Sequence, residues 1–325
     1  MINRRNFIKS SLLLSTSITP VRYIHASNNA HIVIVGAGWG GLSAAKTLRT
    51  LNKSIKITVI EKKKYFKSCP ISNWVIGNIK DMNDITFSYS DFIKNNNINF
   101  LYETVDNIDI NRKIIKLNNS TVKYDKLILS PGVELEYEKV LGLKNALKTN
   151  NVFTAWKAGE ETKLFSNQIA KLQYNEKVII TIPLSPYRCP PGPYERASLI
   201  ANFIKKNNLK SKVLVLDANQ KIISKGKLFS KAWNELYSDI IEYKPDSNVI
   251  EIDPKEKKVI TDFDEYKFDI ANIIPPQKAS NLLKKVGLIE NNKNWASVNP
   301  NDFSSTLSKD VYIIGDSTDR ASVGS

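Results

Sequence analysis

From residue 31 onward the chain alternates short β-branched runs with stretches of helical spacing. His31-Ile32-Val33-Ile34-Val35 is an unbroken run, as a parallel strand buried on both faces requires. It enters Gly36-Ala37-Gly38-Trp39-Gly40-Gly41, after which the apolar spacing of residues 42–48 predicts a helix. A second run at 55–60 ends in Glu61. Later, a strand at 177–182, a helix from about 194 to 206 and a strand at 213–217 repeat the same order. Between the two series, a β-rich stretch at 105–117 precedes a strand at 122–132 that leads into Ser130-Pro131-Gly132. Residues 310–316 form a last strand ending in Gly315-Asp316.

Strands alternating with helices predict an α/β fold, and the glycines specify its type. Gly36, Gly38 and Gly41 lie between strand and helix, and Glu61 follows Gly41 at the spacing of about 20 residues that dinucleotide-binding units use. The glycines permit a tight turn and close backbone approach, and the helix N-terminus faces a pyrophosphate. Glu61 would accept hydrogen bonds from ribose hydroxyls and repel a 2′-phosphate. Ser130-Pro131-Gly132 and Gly315-Asp316 are similar to the second and third fingerprints of flavoproteins with two dinucleotide domains. In that group the Gly-Asp aspartate holds the ribityl chain. The cofactor expected is therefore FAD, on Gly36, Gly38, Gly41, Glu61, Ser130, Pro131, Gly132, Gly315 and Asp316.

The expected architecture is two Rossmann-like dinucleotide-binding domains of the pyridine nucleotide-disulfide oxidoreductase type. An FAD-binding domain spans 27–150 and 266–325, and a second dinucleotide-like domain spans 151–265. The second unit lacks a nicotinamide site. Its strand-to-helix loop carries Pro183, Pro186, Pro190, Pro191 and Pro193 with Gly192 as the only glycine, which removes the amide donors of a pyrophosphate cradle.

At 325 residues, two domains are the expected number. The chain has 47 Lys and Arg against 32 Asp and Glu, a net +15. The excess is mostly scattered Lys, so no nucleic-acid groove is expected. No apolar run reaches the roughly 18–20 residues that cross a bilayer. Only two histidines and two cysteines are present, which excludes Ser-His-Asp hydrolysis, His-rich zinc sites and in-chain c-type haem; no metal site is expected. Arg4-Arg5 followed by a mildly apolar stretch and Ile24-His25-Ala26 matches a twin-arginine signal peptide over 1–26, implying periplasmic export.

Two cysteine motifs carry a closer resemblance. They are Cys189-Pro190-Pro191-Gly192-Pro193-Tyr194-Glu195-Arg196 and Lys67-Ser68-Cys69-Pro70-Ile71-Ser72-Asn73-Trp74-Val75-Ile76-Gly77, supported by Trp295-Ala296-Ser297-Val298-Asn299-Pro300. With the leader, they resemble the flavoprotein subunit of flavocytochrome c sulfide dehydrogenase. The resemblance implies a periplasmic electron-transport flavoprotein that oxidises sulfide to sulfur or polysulfide and passes electrons to a separate c-type cytochrome. It implies that Cys69 forms a thioether to the flavin; on the residues alone, Cys69 is a buried free thiol or half of a Cys69–Cys189 disulfide, and two cysteines in an exported protein ordinarily pair. It further implies that Cys189 is the redox cysteine, its thiolate favoured by Arg188 and Arg196 where they approach, and that Glu195 relays a proton. A first-turn capping acid is the other reading of Glu195. Members of that family continue past the Gly-Asp motif into a C-terminal part with the second redox cysteine, absent from this chain. The alternatives are a sulfide:quinone oxidoreductase-like enzyme and a non-catalytic flavin-binding partner in sulfur oxidation.

Overall fold

The computed structural model describes residues 30–320. The export segment expected over 1–26 lies outside the described residues. The first unit is a parallel five-stranded sheet in the order Val311–Ile313, Lys126–Leu129, His31–Val35, Lys56–Ile60, Asn99–Leu101. Val33 stands opposite both Thr58 and Leu127, so the glycine-bearing strand is central. Alternate residues of that strand face different cores. Ile32 and Ile34 pack with Ile57 and Val59, whereas Val33 and Val35 pack with Leu127 and Leu129. A strand covered on both faces is why the run lacks polar alternation. The helix Trp39–Leu51 follows the glycine turn and extends by three residues beyond each end of the expected 42–48.

The strand expected over 122–132 is two strands. Thr121–Lys123 closes an antiparallel meander with Val105–Asp109 and Ile114–Leu117, and Lys126–Leu129 joins the parallel sheet. The break falls at Tyr124-Asp125, where the Tyr124 N–H donates to Lys113 in the meander and the Asp125 N–H to His31 in the sheet.

The second unit repeats this plan. Its parallel sheet runs Val152–Phe153, Ile270–Ile273, Lys177–Ile182, Lys212–Asp217, Ile241–Lys244. A three-stranded meander, Val249–Asp253, Lys258–Thr261 and Glu265–Lys267, again precedes the strand that enters the sheet. The entering strand, Ile270–Ile273, lies beyond the boundary expected at 265/266, so in sheet terms the second unit extends to residue 273. The four-residue run is buried throughout but too short to carry a period, and only its pairing on both edges assigns it. Val133–Leu135 and Gln277–Ala279, each a few residues past its unit's last-entering strand, pair antiparallel where the chain crosses between units.

The helix Gly192–Lys206 buries Tyr194, Ala197, Ile200, Ala201 and Ile204, the i, i+3, i+4 stripe, against Val178, Ile180, Val213 and Val215. At about 1.5–3 kcal/mol for each large apolar side chain taken from water, this stripe anchors the helix N-terminus in place.

Candidate functional site

The glycine turn is forced at two positions. Gly36 has φ +96°, and a Cβ there would lie 2.3 Å from the Ser130 carbonyl oxygen. At Gly41 a Cβ would lie 1.8 Å from the Gly36 carbonyl oxygen. Gly38 differs: a Cβ would meet nothing within 4 Å, so its backbone borders open space at the N-terminus of Trp39–Leu51. Glu61 closes the turn from behind, its Oε2 accepting from the Ala37 N–H at 2.9 Å and its Oε1 from the Lys63 N–H at 2.9 Å. Ser130 receives the end of the central strand, its N–H donating to the Val35 carbonyl at 2.8 Å. Gly132 and Gly315 both hold positive φ, and the Ser317 hydroxyl donates to the Gly132 carbonyl. The segments expected to carry the second and third flavin motifs are thereby joined to the glycine turn.

Asp316 follows in a short helical turn, Gly315–Ser317. Its side chain is accessible, yet surrounding protein raises its carboxyl above the usual range, with Arg188 opposing. Arg188 arrives from the proline-rich loop of the second unit and is 4% exposed. Its Nε donates to the Asp316 carbonyl and its Nη2 to the Thr318 carbonyl, both at 2.7 Å. Its guanidinium carbon lies 3.6 Å from the centre of the Trp295 ring, and its N–H donates to Gln277 Oε1 at 2.9 Å. One side chain thus fixes the Cys189 loop to the Gly-Asp turn.

Cys189 is the next residue, exposed and held at φ +57°, a conformation that costs a non-glycine residue about 1–3 kcal/mol. It stands just before the helix Gly192–Lys206, and a Cβ on Gly192 would come within 3.0 Å of its Sγ. Of the two arginines expected to favour the thiolate, Arg196 acts in that direction and Arg188 does not, and the net effect on the thiol is the opposite. Crowding by protein raises the thiol above its ordinary value, and Glu195 raises it further; the Gly192 N–H and Arg196 oppose this without prevailing. Arg188 spends its donors on carbonyls instead.

Glu195 lies in the first turn of that helix, and its Oε2 accepts from Asn73 Nδ2 at 2.8 Å. Asn73 belongs to the short helix Ser72–Ile76 that follows Cys69. The Ser72 hydroxyl and N–H both donate to the Cys69 carbonyl, at 2.6 and 3.0 Å. Cys69 is exposed and free, as is Cys189; no bridge joins them. The Cys69 loop and the Cys189 helix nevertheless meet through Asn73.

In the second unit, Asp217 stands at the strand end that corresponds to Glu61. It is fully buried, its Oδ2 accepting from the hydroxyls of Tyr194 (2.7 Å) and Tyr243 (2.9 Å), its Oδ1 from the Asn219 N–H and Nδ2. Burial pushes its carboxyl up. No free carboxylate edge faces outward there.

The residues fit a flavin dinucleotide. Gly38 offers an open backbone face beside a helix N-terminus, and two buried polar atoms without partners flank the two cysteines: Ser68 Oγ, adjacent to Cys69, and Gln277 Nε2, whose amide oxygen holds Arg188. Sequence reasoning missed Asn73, Gln277 and the clamping role of Arg188. For Asn73 a signal existed, a lone amide inside the apolar run Trp74-Val75-Ile76 and Ile71.

The description "sulfide dehydrogenase [flavocytochrome c] flavoprotein chain, central" matches residues 162–275, and "pyridine nucleotide-disulphide oxidoreductase" matches residues 30–180. The chain is 25% identical over 301 residues to the mitochondrial sulfide:quinone oxidoreductase of Dictyostelium discoideum, covering 90% of this chain and 66% of that protein. A 44-residue stretch, 14% of this chain, is 52% identical to 92% of the flavocytochrome c sulfide dehydrogenase flavoprotein chain sequence of Chlorobaculum thiosulfatiphilum. Among solved structures, the sulfide:quinone oxidoreductase from Aquifex aeolicus superposes with a TM-score of 0.77 at 21% identity, over 89% of this chain and 68% of that one. A NAD-dependent persulfide reductase from A. fulgidus gives 0.70 at 19%, over 89% and 53%. The chain spans 66% of the Dictyostelium relative and, by its match, 41% of the sulfide-quinone reductase of Aquifex aeolicus.

Proposed function

We propose that the chain is an FAD-dependent oxidoreductase of the kind that includes sulfide:quinone oxidoreductases and flavocytochrome c sulfide dehydrogenase flavoproteins, and that it oxidises sulfide at Cys189 and delivers the electrons to a separate c-type cytochrome in the periplasm. The observation that carries this reading is Cys189 itself, held at positive φ before a helix N-terminus and tied by Arg188 to the Gly-Asp turn. Joining hydrosulfide to a Cys189 thiolate forms one S–S bond, leaves a persulfide anion, and releases one proton and two electrons. FAD, when bound, supplies two-electron acceptance and one-electron release. Glu195 is the carboxylate placed to take the proton, its direction set by Asn73. The cradle of Gly36, Gly38, Gly41 and Glu61 would hold the pyrophosphate and ribose, Ser130, Pro131, Gly132, Gly315 and Asp316 the remaining polar edge, and Cys69 a covalent tether. The second unit takes no nicotinamide nucleotide, its acid being consumed internally. Similarity to sulfide:quinone oxidoreductases over 90% of the chain favours quinone as the second reading for the acceptor.

The test is anaerobic titration of the FAD-loaded protein. Sulfide is expected to bleach the flavin and NADH to leave it oxidised. Cys189→Ser should lose the response to sulfide while dithionite still bleaches it. Bleaching by NADH, or by sulfide in Cys189→Ser, overturns the proposal. Reoxidation by quinone but not by cytochrome c transfers the acceptor to the second reading.

A further inference from the structure

Among the described residues, Arg196 is a buried cation with no carboxylate in direct ion-pair contact, although Glu161 and Glu195 act on it through space. It is 2% exposed, and its four hydrogen bonds all go to neutral acceptors: Asn73 Oδ1 at 3.0 Å, Asn272 Oδ1 at 2.7 Å, and the carbonyls of Thr154 and Ala155 at 3.4 and 2.9 Å. Burial lowers its pKa to about 10, so it stays protonated at neutral pH. Taking a charge from water without pairing it is costly, and folds that keep such a group ordinarily give it a carboxylate. Two carboxylates stand near, and one oxygen of each is bonded to another group. Glu161 Oε1 accepts from the Thr154 N–H at 2.6 Å. Glu195 Oε2 accepts from Asn73 Nδ2 at 2.8 Å. Asn73 is the spacer: its oxygen faces Arg196, and its nitrogen faces Glu195 and the Gly192 carbonyl, the latter at 3.0 Å. A neutral amide separates an acid and a base that would otherwise pair.

The sulfur lies on the other side of the same cluster. A Cβ on Gly192 would be 3.0 Å from both Cys189 Sγ and the Trp156 ring, and the Arg196 guanidinium, one turn further along the helix, lies 5.2 Å from that ring's centre. We propose that Arg196 is the standing counter-charge for anionic sulfur at Cys189, and that Asn73 is the positioning residue that keeps Glu195 from neutralising it. The inference deepens the reading of Cys189 as the sulfur centre and rests on it. The charged and titratable groups facing this sulfur are Glu195, Asp316, Tyr187 and Arg196, with the Gly192 N–H as the fixed dipole. Of these, Arg196 alone carries positive charge. Its freedom from Glu195 therefore decides whether a thiolate or persulfide anion is tolerated, and the ligand class it suits is a small sulfur anion.

The experiment is the pH dependence of iodoacetamide alkylation at Cys189, followed by peptide mass so that Cys69 is scored apart. Full-length protein is used, with near-UV circular dichroism as the check on folding. Asn73→Asp gives Arg196 a carboxylate and repels Glu195; it is expected to move the Cys189 titration upward by about one unit, roughly tenfold less thiolate below the pKa. Arg196→Met is expected to do the same, and Arg196→Lys to restore much of the wild-type profile. A titration unmoved by both Asn73→Asp and Arg196→Met overturns the proposal. So does loss of fold in both, which makes the cluster structural. Alkylation needs neither flavin nor sulfide. A titration that moves as expected in a protein whose flavin ignores sulfide would therefore refute the sulfide reading and leave the charge arrangement standing.

Discussion

Arg188 and Cys189 are neighbours in sequence with opposite surroundings. Cys189 is exposed and strained, whereas Arg188 is buried and satisfied by two carbonyls from the far end of the chain. A guanidinium hydrogen-bonded to carbonyls is worth roughly 1.5–3 kcal/mol for each bond made by a charged donor, and its removal leaves buried acceptors unpaired. Arg188→Ala is therefore expected to lower the unfolding free energy by about 3–6 kcal/mol in urea titrations and to weaken flavin retention on gel filtration. Unchanged values for both would show that the clamp contributes neither. Residue types at this scale were readable, but their roles were only partly so. The cysteines, Glu195 and Asp316 stand out in the sequence by chemistry. Asn73 does not, because an amide becomes significant only through what lies on either side of it.

Among elements, the turn between His31–Val35 and Trp39–Leu51 was the most legible, since every constraint on it is local. Gly36 must take positive φ and admit the Ser130 carbonyl, and Gly41 must admit the carbonyl of Gly36. Gly36→Ala is expected to abolish FAD retention, measured as the flavin-to-protein absorbance ratio after desalting. Gly38→Ala, with open space at its Cβ, should keep the fold and lose retention only in part. Equal ratios for wild type and Gly36→Ala would refute the cradle. The helix Gly192–Lys206 was legible for the same local reason, through its apolar stripe. The strand Ile270–Ile273 was not. Four buried residues carry no period, and their membership in the second sheet depends on partners at 152–153 and 178–181.

At the scale of the molecule, two similar units carry different strand-to-helix turns. One presents a glycine cradle and an acid facing the turn; the other presents prolines and an acid held by Tyr194, Tyr243 and Asn219. The two cysteines sit on different units and are unbridged. With the proposed tether at Cys69, the intact denatured mass of the FAD-loaded protein is expected to exceed that of the polypeptide by one flavin, and the Cys69→Ala variant to show the polypeptide mass alone. Flavin released completely by acid from the wild type would refute the tether.

The sequence by itself determined the α/β alternation, the glycine turn and the candidate sulfur chemistry, because turn conformation, strand burial and nucleophile type are properties of consecutive residues. Tertiary structure alone decided what surrounds the sulfur. Arg188 reaches carbonyls 128 and 130 positions away, and Asn73 reaches Glu195 across 122. Such contacts exist only after both sheets have formed and the chain has crossed back between them. Whether a cation near a cysteine stabilises its thiolate depends on where its hydrogen bonds point, and no local pattern encodes that direction.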